Sequence, residues 1–326
     1  MTPAQSDLSA SIKSLHQLPI DPELGLLFPG QGAQKMGMGS EAWQSSASAK
    51  AVFETADDVL GTSLSRLCFE GPEEELTRTV NAQPAILTTS LAIVAAALES
   101  RVLDKRPAFL AGHSLGEYTA LVAAGALPFA DAFQLVRERG RLMEQAGIEN
   151  PGTMAAIVGL SEHSVREVCR LSGAELCNFN ARTQTVIGGA PEAVETASQL
   201  AKERGGRGLP MKVAGAFHTS LMEPAARNFE TALEGVVAQD SSIPVIGNVT
   251  AKPIETRADL ISELERQMAT PVLWYQSILY MIDSGVRRFI EAGPGQTLIA
   301  MLKRDFPDLT LISLDRSSVP AAASHV

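Results

Sequence analysis

Residues 107–117 read Pro107-Ala-Phe-Leu-Ala-Gly-His-Ser-Leu-Gly-Glu117, a short apolar segment followed at once by a turn with two glycines. The apolar segment predicts a buried strand over 108–111, and residues 117–124 predict a helix. In this context Gly-x-Ser-x-Gly presents a nucleophile, because the turn is too tight for side chains at the glycine positions. We therefore predict that Ser114 is a nucleophile; an ordinary glycine-rich turn is the alternative. The new helix supplies a backbone N–H at Leu115, aimed where negative charge develops on an attacked carbonyl.

The rest of the chain predicts an α/β fold. Short apolar runs alternate with longer amphipathic stretches, which is the pattern of a largely parallel sheet covered by helices. Besides 108–111, the apolar runs predict core strands at 25–28, 245–249, 288–291 and 309–314.

The middle of the chain departs from this alternation. Its order is β-α-β-β-α-β, that of a ferredoxin-like unit, with strands at 154–158, 175–179, 183–187 and 208–212 and helices at 162–171 and 192–204. We therefore predict a ferredoxin-like subdomain at 151–215, inserted into a large α/β catalytic domain at 24–150 and 216–316. A single continuous sheet is the alternative. Residues 1–23 and 317–326 are predicted to be a flexible lead and tail, and a ligand cleft is expected between the two domains.

Composition excludes several classes of protein. The chain has 326 residues, of which 45% are hydrophobic and 20% charged, unlike a disordered or fibrous chain. A formal net charge of −10 makes nucleic acid a poor partner. Apolar runs such as 91–98 are far shorter than the roughly 20 residues that span a bilayer. Three cysteines without metal-ligand spacing favour a reduced, cytoplasmic setting.

A serine nucleophile needs a base, and elimination among the five histidines points to one of them. His16 and His325 lie in the terminal segments, and His163 begins an exposed helix. His113 is predicted to point away from Ser114, since neighbouring turn residues diverge. His218 remains, in the loop that leads from the subdomain back to the large domain and so to the cleft.

The acid that usually orients such a histidine is not evident. Asp131 and Glu167 lie between the serine and His218 in the chain, but both fall on solvent-facing helical positions. The expectation is a Ser–His dyad whose imidazole is oriented by a neutral group.

Arg139 is the most informative charge. It falls in the middle of the apolar face of a helix predicted over 131–146, where a guanidinium keeps its charge and needs an anion or several acceptors. One reading is that two parallel N–H···O bonds hold a substrate carboxylate. A buried structural salt bridge is the alternative.

A second glycine-rich loop follows the first strand at 29–34. It contains neither a Walker lysine nor a G-x-G-x-x-G pattern, so phosphate binding is not indicated. In folds of this type the loop after an early strand supplies the second oxyanion N–H, for which Gln31 is the candidate. A plain strand-end turn is the alternative.

Several separated motifs together resemble one family. From about Gly25 to Asp315 the chain is similar to malonyl-CoA:acyl carrier protein transacylases, which serve fatty acid or polyketide synthesis. The motifs are Phe28-Pro-Gly-Gln-Gly-Ala-Gln34, Gly112-His-Ser-Leu-Gly-Glu117, Arg139-Gly140 with Leu142-Met143, Asn178-Phe-Asn180, Phe217-His218 with Leu221-Met222, Gln267 upstream of Pro271-Val272, and Glu291-Ala-Gly-Pro-Gly295.

The resemblance implies an α/β-hydrolase-like domain with an inserted ferredoxin-like subdomain. It implies that Ser114 carries a malonyl group, that His218 is the base, and that the main-chain carbonyl of Gln267 orients His218. Arg139 would pair with the malonyl carboxylate, and Gln31 and Leu115 N–H groups would form the oxyanion hole. Met143, Asn180 and Phe217 would complete the substrate site. No metal or cofactor is implied; malonyl-CoA and an acyl carrier protein are the expected partners of a monomer, without a membrane.

One departure bears on the pathway. The chain has Gly215-Ala-Phe-His218, where fatty-acid-synthesis members commonly have a serine before the histidine. This form resembles malonyl-selective acyltransferases of polyketide synthases, in which Phe217 would crowd an α-methyl group. An editing acyl hydrolase, which would not need Arg139, and a catalytically silent docking module are the rival functions. Because carrier proteins are usually acidic, we expect a basic rim from Lys202, Arg204, Arg207 and Lys212.

Overall fold

The computed structural model describes residues 12–315. His325, the predicted tail at 317–326 and the first eleven residues of the predicted lead lie outside these described residues.

Ten strands form two sheets in the described chain. In chain order they are β1 Ile20–Phe28, β2 Arg106–Gly112, β3 Thr153–Val158, β4 Glu175–Ala181, β5 Gln184–Gly189, β6 Arg207–Pro210, β7 Val245–Ile246, β8 Pro253–Ile254, β9 Arg288–Glu291 and β10 Thr310–Ser313.

Helices surround both sheets. In chain order they are α1 Ser40–Ser45, α2 Ala47–Leu60, α3 Leu64–Glu70, α4 Glu73–Thr77, α5 Thr79–Glu99, α6 Leu115–Ala123, α7 Phe129–Glu149, α8 Glu162–Ser172, α9 Pro191–Glu203, α10 Glu223–Glu234, α11 Arg257–Gln267, α12 Trp274–Asp283 and α13 Thr297–Asp305.

The larger sheet has six strands in the order β10-β9-β1-β2-β7-β8. All neighbouring pairs are parallel except β7 with β8, which confirms the predicted α/β class with a largely parallel sheet. The strand predicted at 245–249 ends at Ile246, because Gly247 N–H donates to the Lys252 carbonyl at 2.9 Å. That bond closes a turn, and the turn brings β8 back antiparallel on β7.

The smaller sheet has four antiparallel strands in the order β4-β5-β3-β6. Helices α8 and α9 lie between its strands in the chain, and their apolar side chains pack with the sheet into a separate core. The chain therefore has two sheets, and the alternative of one continuous sheet is wrong.

The predicted lead is wrong from residue 12 onward, because this segment packs on the larger domain. Residues Ser14–Gln17 form a 3₁₀-helix, and the apolar side chains of Ile12 and Leu15 are buried. His16, expected in a terminal tail, bonds through Nε2 with the Ala123 carbonyl at 2.8 Å. The three-residue spacing of Ile12 and Leu15 places both on one face of a helical turn, which packs against β2.

Helix α5 contains the apolar run 91–98 and is 21 residues long. By length and composition it is the one described helix that could cross a membrane, but 89% of its most apolar window is buried inside the protein. It packs against α2 and α7 in the larger domain. Its apolar surface is thus accounted for by the core.

A short segment after α11 joins the two sheets. Val272 N–H donates to the Cys177 carbonyl at 2.8 Å, and Phe179 N–H donates to the Val272 carbonyl at 2.9 Å. Near the start of this segment, Met268 accepts the His218 N–H at 3.0 Å. A cavity of about 960 Å³ opens between the sheets, lined by residues from both.

The three cysteines are free and buried. Burial raises the pKa of Cys68 to about 12 and that of Cys169 to about 11. Burial also raises the pKa of Cys177.

Candidate active site

Ser114 occupies the sharp turn between β2 and α6 and lines the cavity. Its backbone lies at φ 50° and ψ −107°, outside the regions that non-glycine residues prefer. The two flanking glycines make the turn possible. A Cβ at Gly112 would lie 1.9 Å from the Gly116 carbonyl carbon, and one at Gly116 would lie 2.1 Å from the Phe28 carbonyl oxygen. The local geometry predicted from Gly-x-Ser-x-Gly is therefore present.

His218 contacts the serine directly. Its Nε2 lies 2.8 Å from Ser114 Oγ, and its Nδ1 lies 2.8 Å from the main-chain carbonyl of Gln267. When Nδ1–H donates to that carbonyl, Nε2 is the free acceptor for the serine proton. Burial, and secondarily the charge of Arg139, lower the pKa of His218 to about 3. The imidazole is therefore neutral and able to accept a proton.

No carboxylate contacts His218 in the described chain. Asp131 accepts the Val237 N–H at 3.3 Å, and Glu167 pairs with Arg170 on the surface at 3.0 Å. Both acids thus lie where the sequence analysis placed them, away from the base. The imidazole is oriented by a neutral carbonyl.

Arg139 is buried beside the serine, with 1% of its surface exposed. Its Nη2 donates to Ser114 Oγ at 3.1 Å and to Gln267 Oε1 at 2.9 Å, while Nη1 donates to Gln83 Oε1 at 2.8 Å. Its Nε has no hydrogen-bond partner. Among residues 12–315 no Asp or Glu forms an ion pair with it, so the alternative of a structural salt bridge is not found. A guanidinium with a vacant N–H next to the nucleophile is suited to an anionic acyl group.

The two candidate oxyanion donors come from the segments that follow β1 and β2. Leu115 is the first residue of α6, so its N–H has no carbonyl one turn earlier in that helix. Gln31 follows β1, lines the cavity, and donates through Nε2 to Thr79 Oγ1 at 3.2 Å.

The other predicted contacts also line the cavity. Met143 faces it from α7, Phe217 precedes the histidine, and Asn180 comes from β4. His113, predicted to point away from Ser114, also lines the cavity. The turn directs its ring towards the smaller sheet, where Nε2 lies 2.9 Å from Asn180 Oδ1, and the ring packs against Trp274.

Only one of the four basic residues expected at the rim lines the cavity. That residue is Lys212, which follows β6. Lys202 lies at the end of α9, Arg204 caps that helix, and Arg207 begins β6. The acidic side chains of Glu73 and Glu74 line another part of the cavity. The basic rim stays a prediction.

Four buried polar residues near the nucleophile were missed: Gln83, Glu117, Asn248 and Glu263. Asn248 fixes the turn, since its Oδ1 accepts the Ser114 N–H at 2.6 Å and its Nδ2 donates to the Gly112 carbonyl at 2.7 Å. A signal existed for Glu117, which is the only charged residue in the otherwise apolar stretch 115–124. Asn248 and Glu263 lie in segments of ordinary polar composition.

Glu117 and Glu263 form a buried carboxyl pair. Glu117 accepts the Asn248 N–H at 2.8 Å and is hydrogen-bonded to Gln267 Nε2. Burial, and secondarily repulsion from Glu263, hold the pKa of Glu117 well above its usual range, and burial raises the pKa of Glu263. Burial of two neighbouring carboxyl groups therefore favours a protonated form in this pair.

Metal-ligating side chains are not clustered at this site. Within residues 12–315, no group of three or more His, Cys, Asp or Glu side chains is arranged to hold a metal ion.

Comparisons with known proteins agree with this arrangement. A family model described as an acyl transferase domain matches residues 26–320. A malonyl CoA-acyl carrier protein transacylase from Bacillus subtilis (strain 168) is 45% identical over 288 residues, which cover 86% of this chain and 90% of the relative.

Solved structures give the same result. A crystal structure of an acyl carrier protein S-malonyltransferase from Vibrio cholerae O1 matches with a TM-score of 0.86 and 37% identity, covering 91% of this chain and 98% of that one. A malonyl-transacylase solved in complex with a type II PKS acyl-carrier protein matches with a TM-score of 0.87 and 37% identity, covering 91% and 97%.

Proposed function

Because this chain belongs to the malonyl-CoA:acyl carrier protein transacylase family of acyl transferases, we propose that it transfers malonyl through Ser114. The chain is an acyltransferase that moves a malonyl group from malonyl-CoA to the thiol of an acyl carrier protein. The observation that carries the residue assignment is the position of Ser114 Oγ, which contacts both His218 Nε2 and Arg139 Nη2.

Acylation begins when Ser114 Oγ attacks the malonyl thioester carbonyl. His218 Nε2 takes the hydroxyl proton, and the Leu115 and Gln31 N–H groups hold the oxyanion. The C–S bond then breaks, the proton passes to the CoA sulfur, and malonyl-Ser114 remains. The Gln267 carbonyl supports this role of the imidazole, since its bond with Nδ1 sets the tautomer.

Arg139 binds the free carboxylate of the malonyl group. The guanidinium Nη2 already lies 3.1 Å from Ser114 Oγ, and the buried Nε–H has no hydrogen-bond partner among the described residues. A carboxylate and a guanidinium form two parallel bonds, which orient the acyl group as well as bind it. Acyl groups without a carboxylate lose this contact, so the site favours malonyl over acetyl.

Transfer to the carrier protein reverses these steps. The carrier's phosphopantetheine thiol gives its proton to His218 and attacks the malonyl ester, and Ser114 leaves with that proton. The cavity of about 960 Å³ is large enough for an extended acyl thioester. Lys212 at this cavity supports a contact with an acidic carrier.

The finer description of the fold belongs to this proposal. Residues 151–215 are a ferredoxin-like subdomain, and residues 24–150 and 216–316 an α/β-hydrolase-like domain. The strand order β4-β5-β3-β6, with two helices between the strands, supports the first assignment. The strand–turn–helix around Ser114, set in a largely parallel sheet, supports the second.

The remaining assignments follow from the chemistry. Acyl transfer through a serine ester requires neither a metal nor a redox cofactor. The site residues all come from one chain, so a monomer suffices. Three free cysteines support a cytoplasmic setting. Phe217 at the cavity supports selection against methylmalonyl, in either fatty acid or polyketide synthesis.

Intact-mass measurement with separate acyl-CoA substrates tests the proposal. We expect a malonyl adduct with malonyl-CoA, little or none with acetyl-CoA or methylmalonyl-CoA, and passage of the adduct to an added acyl carrier protein. Ser114→Ala should abolish the adduct, and Arg139→Ala should reduce malonylation selectively. Free malonate without an adduct would indicate the hydrolase. If neither an adduct nor free malonate forms, the proposal that this chain is an enzyme is contradicted.

A further inference from the structure

We propose that Glu117, together with Glu263, is a positioning residue that fixes the side-chain amide of Gln267 and through it the malonyl-binding guanidinium of Arg139. This inference rests on the proposed function, because it concerns how the carboxylate site is held in place. It assigns a use to a buried carboxyl pair that the acyl-transfer steps leave unused.

Gln267 contributes to the site through two separate groups. Its main-chain carbonyl accepts from His218, while its side-chain Oε1 accepts from Arg139 Nη2 at 2.9 Å. Its Nε2 donates to the Ser114 carbonyl at 3.0 Å and to Glu117. A flipped amide would turn its NH₂ group towards the guanidinium, and two donors would then face each other. Acceptors on the Nε2 side therefore determine that Oε1 faces Arg139.

Glu117 is suited to this task because a carboxyl group has two acceptor oxygens. Oε1 accepts the Asn248 N–H at 2.8 Å, and Oε2 accepts from Gln267. Asn248 in turn accepts the Ser114 N–H, so both bonds lead to the nucleophile. A glutamine at 117 has one oxygen and cannot keep both bonds.

The arrangement also keeps carboxyl groups out of contact with the guanidinium. Arg139 is buried with no direct ion pair, and the Glu117 carboxyl lies one amide further away, beyond Gln267. Glu263 is held by the Val249 N–H at 2.5 Å. A carboxylate in direct contact with Arg139 would compete with the malonyl carboxylate, whereas the neutral Gln267 amide leaves the guanidinium able to bind it.

Glu117→Gln tests the inference through the preference for malonyl over acetyl. The measurement is kcat/KM for acylation of the enzyme by malonyl-CoA and by acetyl-CoA. We expect malonylation to fall by roughly 10- to 100-fold, the range for a hydrogen bond to a charged group. Acetylation should fall at least about 3-fold less than malonylation, because only malonylation also loses the carboxylate contact with Arg139, whereas any effect on Ser114 is shared by both substrates.

Two further variants separate positioning from general damage. Glu291→Gln is the matched control, since Glu291 is also buried and accepts two N–H groups, from Leu298 and Ile299, without touching Ser114, His218 or Arg139. It should leave the malonyl-to-acetyl ratio unchanged. Gln267→Met removes the amide but keeps the main-chain carbonyl for His218, and it should lower the ratio as Glu117→Gln does. The double variant should show no further selective loss, because both changes act on one contact.

Each outcome decides the question. A wild-type ratio in Glu117→Gln, or an equal loss of both activities, would overturn the inference. If Glu117→Gln does not fold, Gln267→Met decides alone, and a wild-type ratio there would overturn it. A wild-type enzyme that forms no malonyl adduct would instead overturn the proposed function and this inference with it.

Discussion

Ser114 and His218 both have positive φ angles, of 50° and 63°. For residues other than glycine such conformations cost about 1–3 kcal/mol each and persist only where the surroundings enforce them. Hydrogen bonds from other segments do so here, because Ser114 N–H donates to Asn248 and His218 N–H donates to Met268. Hydrogen bonds to other segments therefore fix the backbone conformations of the nucleophile and the base, against the intrinsic φ preferences of these residues.

The depressed pKa of His218 predicts an unusual pH dependence. Burial lowers this pKa to about 3, so the imidazole stays neutral as the pH falls from 8 to 5. We expect kcat/KM for malonylation to change less than about 3-fold over this interval, whereas a histidine of pKa 6.5 would lose about 30-fold by pH 5.

Unlike kcat/KM, the free energy of unfolding should change with pH over this range. The unfolded chain takes up a proton at His218 below its ordinary pKa and the folded chain does not, so this residue lowers stability as the pH falls from about 6.5 towards 3. Circular dichroism at pH 5 is therefore the control for folding. A half-maximal fall of kcat/KM near pH 6.5 in folded enzyme would contradict the prediction.

At this scale the sequence predicts residues with a local signature. Ser114 follows from its turn, Arg139 from a charge on an apolar helical face, and His218 from elimination. The Gln267 assignment came only from the resemblance to a family. Glu117 and Asn248 were missed because their bonds join residues about 130 positions apart, 131 for Glu117 with Asn248 and 134 for Ser114 with Asn248.

At the scale of elements, α6 shows a conflict between helix propensity and packing. Alanine stabilises a helix by about 1 kcal/mol relative to glycine. At Gly116, however, a Cβ would lie 2.1 Å from the Phe28 carbonyl oxygen, which is backbone and cannot move aside. Close packing of α6 on β1 therefore requires a glycine at position 116.

Gly116→Ala should destabilise the protein by more than about 3 kcal/mol or prevent folding, because overpacking against backbone exceeds the gain in propensity. Gly235→Ala is the matched control. Gly235 caps α10 at φ −81° with nothing within 4 Å of an added Cβ, so this change should stabilise by about 0.5–1 kcal/mol. Urea unfolding measures both. Equal stabilities for the two variants would contradict the argument.

The predicted boundaries of strands and helices were correct only where neighbouring residues in the sequence set them. The strand at Arg288–Glu291 was predicted to the residue, and both neighbouring strands pair with it over these four positions. The strand from Val245 was predicted too long, since the turn that ends it is closed by a bond between Gly247 and Lys252 that composition does not reveal. The packed turn at Ser14–Gln17 was missed because its partners, including Ala123, lie far along the chain.

At the scale of the whole molecule, one segment serves both sheets and the base. Residues 267–272 hold His218 through the carbonyls of Gln267 and Met268, and the backbone of Val272 bonds on both sides to β4. The cleft was predictable from the order of elements, but this connection was not, because nothing in Pro271-Val272 itself indicates a partner strand.

Val272→Pro should therefore affect all acyl groups alike. It removes the N–H that pairs with the buried Cys177 carbonyl, at a cost of about 1–3 kcal/mol, and shifts the segment that orients His218. We expect kcat/KM to fall at least about 10-fold for malonyl-CoA and acetyl-CoA alike, because a displaced imidazole is misaligned for proton transfer with either acyl group.

Val272→Ala is the control, because it keeps the N–H and loses only buried methyl groups. It should lower the thermal midpoint and keep kcat/KM per folded molecule. Wild-type kcat/KM in Val272→Pro would show that the pairing of residues 267–272 with β4 does not position His218.

The buried cysteines do not take part in the thiol chemistry of the substrates. Coenzyme A and a phosphopantetheine arm both bring free thiols into the cleft, yet Cys68, Cys169 and Cys177 are shielded from solvent and remain protonated at neutral pH. Mixed disulfides with the enzyme and acyl migration to a neighbouring sulfur are thereby suppressed. A chromogenic thiol reagent added to the folded enzyme therefore counts the coenzyme A released, one for each acyl group taken up, over a near-zero blank.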